Sequence, residues 1–425
     1  MKKGVKRLSE VNYGINDIES LSFREGVRKR IQMYLGSNDM QGVYNGITEI
    51  ISNSVDEYYM GYGKQIDIDV RDNMVTIIDR GRGIPFGIRE DGSNVLVDIF
   101  SRPHTGGKFN DKAYNSVGGL NGIGAKATCL SSESFAVASN REGKTAIAVF
   151  EKGLLKNYQE VPHISQYPDT GTVIKFKPDP EVFSLEPINI SFARICEQCQ
   201  NLSYLTKGLM FKLTDGTQTK QYCALKGIVD LVRDKGQGAI HPHPAYAIIE
   251  EGDTTLEVAM QWTKGPESWY VFTNGIPQIE GGTSLTGMKT AITRFMKGKI
   301  GGDFNGDTAR MGLVYVVACK TPHPSFANQI KSKINNPELN GLAQRATTQA
   351  LTDFCKDHPD EFKLIEDILQ RQRKAEQAAE RARNAVLRAT KDIEKNIRAK
   401  VFSSDKLKDA KKLGKDSVLL ICEGN

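Results

Sequence analysis

The chain has 425 residues, 39% hydrophobic and 25% charged, with a formal net charge of +6. That is too long for one ordinary core and suits two or three domains of a soluble, cytoplasmic protein. No run of about eighteen apolar residues occurs, so no membrane span is expected. The basic start, MKKGVKRLSE, lacks the apolar stretch of a signal peptide. The seven cysteines are scattered and odd in number, which fits a reducing compartment rather than a disulfide framework. Cys196 and Cys199 form a lone CxxC with no second pair or matching histidines, and are read as ordinary helix cysteines.

In chain order, a polar arm leads to a helix around residues 22–30. Val43, Ile47, Ile50, Ile51 and Val55 then fall at helical spacing over 43–59, with Gly61 able to end the helix. Two alternating runs, 65–70 and 74–79, are split by Arg71-Asp72-Asn73 and read as a hairpin. Glycines cluster from Gly81 to Gly124 with little regular patterning, the mark of a functional loop or a disordered one. A short helix is expected over 125–130 and strands over 135–138, 145–150 and 172–177. A second block opens near Leu225, with strands at 257–262, 269–273 and 312–318 and a helix at 285–296. His241, His243 and His323 sit beside prolines and are expected on surface loops. From Pro359 to about Lys400 the sequence reads as one long helix, followed by a strand-like run at 417–422. Between Arg371 and Lys415 stand 15 Lys/Arg against 6 Asp/Glu, which leaves the rest of the chain slightly acidic. Such a local surplus suits either a phosphate backbone or a solvated helix face.

Glu49, Asn53 and Glu57 lie four residues apart, so one helix face carries all three about a turn apart. An acid and an amide in line can hold a water and a divalent cation together, although an exposed face reads the same way. Asp79 ends a strand and leads into Arg80-Gly81-Arg82-Gly83-Ile84-Pro85. A carboxylate there can accept a hydrogen bond from an exocyclic amine, and the glycines let a flat ring approach the backbone. The run Gly118-Gly119-Leu120-Asn121-Gly122-Ile123-Gly124 precedes the expected short helix. Its backbone amides, with Lys126, suit a polyphosphate, yet no GxxxxGKS/T loop occurs anywhere in the chain.

These three segments, in this order, resemble the nucleotide-binding motifs of the GHKL (Bergerat-fold) ATPases. That superfamily holds the type II topoisomerases, the MutL proteins, a class of heat-shock chaperones and the sensor histidine kinases. Further segments are similar to the type IIA topoisomerase branch, the gyrase B type. Val27-Arg28-Lys29-Arg30-Ile31-Gln32-Met33-Tyr34-Leu35-Gly36 resembles VRKRPGMYIG, departing at Ile31 and Gln32. Arg102-Pro103-His104-Thr105-Gly106-Gly107-Lys108-Phe109 resembles a lid segment, and Thr170 to Asp179 resembles TGTxVxFxPD. Residues 272–277 and 280–283 match the opening of a transducer domain. HPSFANQIKSK, from His323 to Lys333, resembles the transducer loop bearing Gln-Thr-Lys, with Ile330 at the threonine. Leu419 to Asn425 resembles a first TOPRIM strand, with Asn425 where aspartate is usual.

The resemblance implies an α+β chain: a GHKL α/β sandwich over 1–222, a ribosomal-protein-like α/β transducer domain over 223–400 ending in a long basic helix, and the start of a truncated TOPRIM domain over 401–425. It implies ATP and Mg²⁺ as cofactors, with Glu49 as general base and Asn53 as metal ligand. Asp79 is expected to read adenine, Arg82, Gly83, Ile84 and Pro85 to flank it, Thr172 to assist through water, and Glu57 to support that network or a neighbouring charge. Gly118, Gly119, Leu120, Asn121, Gly122, Ile123, Gly124 and Lys126 are expected around the phosphates, with Lys108 from the lid. Gln329 and Lys331 would reach the γ-phosphate, and Tyr13 would cross to a partner protomer. Glu423 matches a TOPRIM acid. The implied partners are double-stranded DNA, a second copy of the chain and a separate or fused DNA-cleavage subunit. The fragment by itself is not expected to cut DNA. Alternatives are another GHKL machine, such as a MutL-like repair clamp or a chaperone, and a clamp that binds nucleotide without turning it over.

Overall fold

The computed structural model describes residues 20–106, 122–301, 305–328 and 331–402, with side chains up to residue 393. Helix α1 (Phe23–Lys29) starts at Ser22, whose hydroxyl accepts from the Glu25 amide while the Glu25 carboxylate accepts from the Ser22 amide. After α2 (Gln32–Leu35), Asp39 caps α3 (Met40–Tyr59) through the Gln41 amide. The apolar stripe of α3 is buried as its spacing predicts. Each of Ile47, Ile50 and Ile51 contributes about 1.5–3 kcal/mol by leaving water.

Strands β1 (Gln65–Arg71) and β2 (Met74–Ile78) form the expected hairpin. The glycine-rich stretch is not all loop: Asn94 caps α4 (Val95–Ser101), and α5 (Gly124–Leu130) follows at its end. Then come β3 (Ser132–Arg141), β4 (Lys144–Glu151), β5 (Leu154–Pro162), β6 (Gly171–Pro178), α6 (Pro180–Phe183), α7 (Phe192–Leu205), β7 (Met210–Thr214) and β8 (Thr219–Tyr222). The sheet order is β5-β4-β3-β6-β2-β1-β7-β8, antiparallel except where β1 meets β7. Edge strand β5 carries no alternation because both its faces meet solvent, and Leu154 and Leu155 are exposed. Cys196 and Cys199 lie buried in α7, as ordinary helix residues do.

The second unit opens with α8 (Ile228–Lys235), β9 (Ala245–Glu251), β10 (Thr254–Trp262), β11 (Ser268–Thr273) and β12 (Ile276–Pro277). It continues through α9 (Thr283–Ile300), α10 (Gly306–Arg310), β13 (Leu313–Lys320), α11 (Glu338–Asp357) and α12 (Pro359–Phe402). Its sheet runs β12-β11-β13-β10-β9. Central strand β13 reads as a near-continuous apolar run, and β10 is buried along most of its length, because α9 and α11 cover one face and α8 the other. Helix α11 has no counterpart in the sequence reading. Its buried stripe leans on Ala343, Ala346 and Ala350, small residues that give hydropathy patterning little contrast. Helix α12 docks through Phe362, Ile365 and Leu369, and is exposed from Ala379 to Ile393. Among the described residues, no helix is long and apolar enough to cross a membrane.

One expectation fails here. His241 is not on the surface: it is 3% exposed, packed between Trp262 and Phe354. A polar ring can be buried because both its nitrogens are satisfied, by the Trp262 amide and the His243 carbonyl. Helix α3 joins the two units. The Tyr59 hydroxyl donates to the Leu205 carbonyl, and the Lys320 ammonium of β13 lies 4.0 Å from the centre of the Tyr59 ring.

Candidate nucleotide site

The face of α3 that bears Glu49, Asn53 and Glu57 meets two glycines. A Cβ at Gly124 would fall 1.9 Å from Glu49 Oε2, so the start of α5 lies directly against that carboxylate and a larger residue would displace it. A Cβ at Gly81 would fall 2.7 Å from the Glu57 Cγ. Both segments of the glycine-rich stretch therefore close on one helix face. Glu57 and Arg82 form a bidentate pair at 2.8 and 3.0 Å, and Glu57 also accepts from the Arg82 amide. The Arg82 guanidinium lies 4.9 Å from the centre of the Tyr62 ring. Glu57 thus holds a neighbouring charge, one of the two roles the sequence allowed it.

Asp79 follows β2 and is 8% exposed. Its Oδ1 accepts from the Gly81 amide at 2.9 Å and the Thr172 amide at 3.1 Å. Its Oδ2 accepts from the Ser54 hydroxyl at 3.2 Å. Burial pushes its carboxyl up to about 6, against the lowering effect of these three bonds. Thr172 on β6 is paired with it twice, since its carbonyl also accepts from the Asp79 amide. Gly83 takes φ +75°, and a Cβ there would lie 2.5 Å from the Asn140 carbonyl oxygen. The Ile84 carbonyl accepts from Ser139 at 2.6 Å, and Pro85 is exposed. Ser54 and Ser139 escaped the sequence reading. Ser54 is hidden by its neighbour Asn53, which alone fits the four-residue spacing, and Ser139 belongs to a strand distant in sequence.

Lys126 is 2% exposed, and its ammonium donates to the Thr105 and Gly122 carbonyls. Burial pushes it down to about 8. Among the described residues no carboxylate pairs with it, so this buried cation can meet an anion. Ile123 and Gly124 open α5 just ahead of it. Lys331 has φ +57°; its amide donates to the Asn328 carbonyl and its ammonium lies 5.9 Å from the centre of the Phe326 ring. Both of these contacts lie within its own loop, in the second unit. Tyr13, Lys108, Gly118, Gly119, Leu120, Asn121, Gln329 and Glu423 lie outside the described residues.

The helix face, the buried acid and the buried lysine lie together in an α/β sandwich of the GHKL type. Residues 38–181 match the family of Histidine kinase-, DNA gyrase B-, and HSP90-like ATPases, and residues 225–385 match DNA gyrase B. The gyrase B protein of Streptococcus pneumoniae is 33% identical over 401 residues, covering 90% of this chain and 61% of that one. The B component of the type 2 topoisomerase of Aquifex aeolicus is 33% identical over 404 residues, covering 90% and 50%. The chain therefore spans about three fifths or less of these relatives' length. Among solved structures, the 43K ATPase domain of Thermus thermophilus gyrase B, in complex with an aminocoumarin, aligns with TM-score 0.72 and 27% identity over 85% of this chain and 98% of that one. The ATPase region of Saccharomyces cerevisiae topoisomerase II, at TM-score 0.61 and 16% identity over 79% and 98%, shares the fold. The chain belongs to the type IIA topoisomerase family, in its gyrase B-like ATPase region. The match over 225–385 disfavours a MutL-like clamp or a chaperone.

Proposed function

We propose that this chain binds and hydrolyses ATP to drive closure of a DNA-capturing gate formed by two copies of itself. The observation that carries the reading is the convergence on α3: Glu49 against Gly124, Asp79 bonded to Ser54, and buried Lys126 two residues after Gly124. Asp79 Oδ2 takes one bond from Ser54 and keeps a lone pair for the adenine amine. Thr172, fixed by Asp79, borders the same spot. Lys126 neutralises phosphate charge in a place where, among the described residues, no carboxylate competes for it.

Glu49 takes the proton of the water that attacks the γ-phosphorus, the bond to the bridging oxygen breaks, and ADP and phosphate result. Glu49 and Asn53 offer oxygen donors one turn apart, a set that fits Mg²⁺, with Asn53 as its ligand. When bound, Mg²⁺ withdraws charge from the phosphate oxygens. Lys331, resting on Phe326 here, reaches the γ-phosphate with Gln329 once the gate closes. Tyr13 crosses to the other copy. Residues 1–222 serve as nucleotide domain, 223–400 as transducer, and 401–425 lead to a TOPRIM domain opened by Glu423. The basic length of α12 faces the captured duplex, and cleavage belongs to an associated subunit or domain.

The test is steady-state ATP hydrolysis with Mg²⁺ across a wide range of protein concentration, for the native chain, Glu49→Ala and Lys331→Ala. Specific activity that rises with concentration and collapses in both variants supports a dimerising ATPase. Activity independent of concentration and indifferent to Lys331→Ala sinks the gate.

A further inference from the structure

Three imidazoles and a carboxylate meet where α11 gives way to α12, far in sequence from the loop that brings two of them. His243 lies in the loop before β9, His358 is the C-cap of α11, and Glu361 stands in the first turn of α12. The rings of His243 and His358 stack in parallel, 4.2 Å between centroids and 5° between planes. Both turn Nδ1 toward one carboxylate oxygen, Glu361 Oε1, at 2.6 Å from His243 and 3.7 Å from His358. One potential ligand atom from each of the three residues lies within 4.8 Å of the others.

The second carboxylate oxygen is held separately. Glu361 Oε2 accepts from the His243 amide at 3.3 Å and lies 3.4 Å from His241 Nδ1. The His241 tautomer follows from its neighbours: Nε2 accepts from the Trp262 amide at 3.0 Å, so the proton sits on Nδ1. That Nδ1–H points to the His243 carbonyl and to Glu361. A fully buried histidine thus fixes both the loop and the carboxylate, as outer groups do around metal centres. It leaves Oε1 to the two stacked imidazoles, with the His243 side chain half exposed.

We propose that His243, His358 and Glu361 bind a divalent transition metal of the zinc class, which fastens the loop at 240–244 to the root of α12. Two imidazoles and one carboxylate with an open position are a zinc donor set, and nitrogen donors select against Mg²⁺. Tetrahedral zinc places its ligand atoms about 3.3 Å apart, between the short and long separations seen here. Binding therefore turns the half-exposed His243 ring out of its stack on His358, so that both ring planes meet at the ion. The ion takes the place of the hydrogen bond between His243 Nδ1 and Glu361 Oε1. None of its three residues belongs to the nucleotide site.

The experiment uses the whole chain, stripped with a chelator. Zn²⁺ alone is titrated against a chromophoric competitor at neutral pH, and melting is followed with and without the ion. About one equivalent should bind, and the melting temperature should rise with its concentration. Co²⁺ should give the intense visible bands of a tetrahedral site, while Mg²⁺ should leave melting unchanged there. His243→Gln keeps a polar contact on an accessible loop yet should weaken Zn²⁺ about tenfold or more, and His358→Ala should do the same. Metal-free melting and circular dichroism of His243→Gln should match the native chain, which separates lost binding from lost folding. No stoichiometric binding overturns the proposal. So does Zn²⁺ held equally by both variants, which would place the ion on the cysteines or elsewhere.

Discussion

Arg28 and Asp179, 151 positions apart, form an ion pair at 2.5 Å that locks the first helix to the end of β6. The same guanidinium donates to the Leu130 carbonyl at 3.1 Å, at the last residue of α5. Two segments that resemble family motifs therefore act together on the helix that carries Lys126. Asp179 is almost fully enclosed, and it also caps α6 through the Glu181 amide.

Removing only the cation should leave that carboxylate buried and unpaired. Arg28→Ala is expected to cost about 2–4 kcal/mol in urea denaturation. Arg28→Met combined with Asp179→Asn should recover much of it, because the uncompensated charge goes too. A loss below about half a kcal/mol for Arg28→Ala, the level of an exposed pair, would show the contact to be ornamental.

Gly124→Ala tests how closely α5 approaches α3. The added methyl collides with the Glu49 carboxylate, which must swing aside to make room. ATP turnover should fall on the order of a hundredfold from misplacement of the base, with circular dichroism unchanged. Turnover close to native would mean that Glu49 relaxes freely and is not positioned by this contact.

Asp79 gives a pH signature. Its folded carboxyl titrates near 6, above the ordinary value of 3.8, so the native state holds the proton more tightly than the unfolded chain. Stability tied to this group is present in acid and is lost as pH rises from about 4 through 6. Asp79→Asn keeps acceptance from the Gly81 and Thr172 amides and can donate to Ser54. It should therefore be the more stable protein at pH 7, by roughly 1–3 kcal/mol, and lose that advantage near pH 4. Its ATP affinity should nevertheless drop. A stability difference flat between pH 4 and 7 would contradict the burial argument.

Lys126 has the opposite sign. Its folded value, near 8 against 10.5, means that the charged form is penalised in the native state. That penalty is complete below pH 8 and fades as pH rises toward 10.5. Lys126→Met should accordingly gain stability relative to the native chain at pH 7 without nucleotide, with the gap narrowing by pH 10, while binding ATP at least about tenfold more weakly. Unchanged ATP affinity in this variant would remove Lys126 from the phosphate site.

Local periodicity made much of this molecule legible in advance. The apolar stripe of α3, the four-residue spacing of Glu49, Asn53 and Glu57, the hairpin ending at Asp79 and the length of α12 all repeat within a few residues, so neighbouring positions declare them. The ATPase class came instead from the resemblance of three ordered segments to known nucleotide-binding motifs. Tertiary structure decided what depends on distant partners. The Glu57–Arg82 pair, the bond from Ser54 to Asp79, the burial of His241 and the meeting of His243 with Glu361 join residues whose own surroundings in the chain are ordinary. Even α11 emerges only when its alanines find β9, β10 and α9 to pack against. Hydropathy and spacing record which way a side chain must face, whereas its partner is set by how the sheets close, and that information lies in the packing of the whole chain.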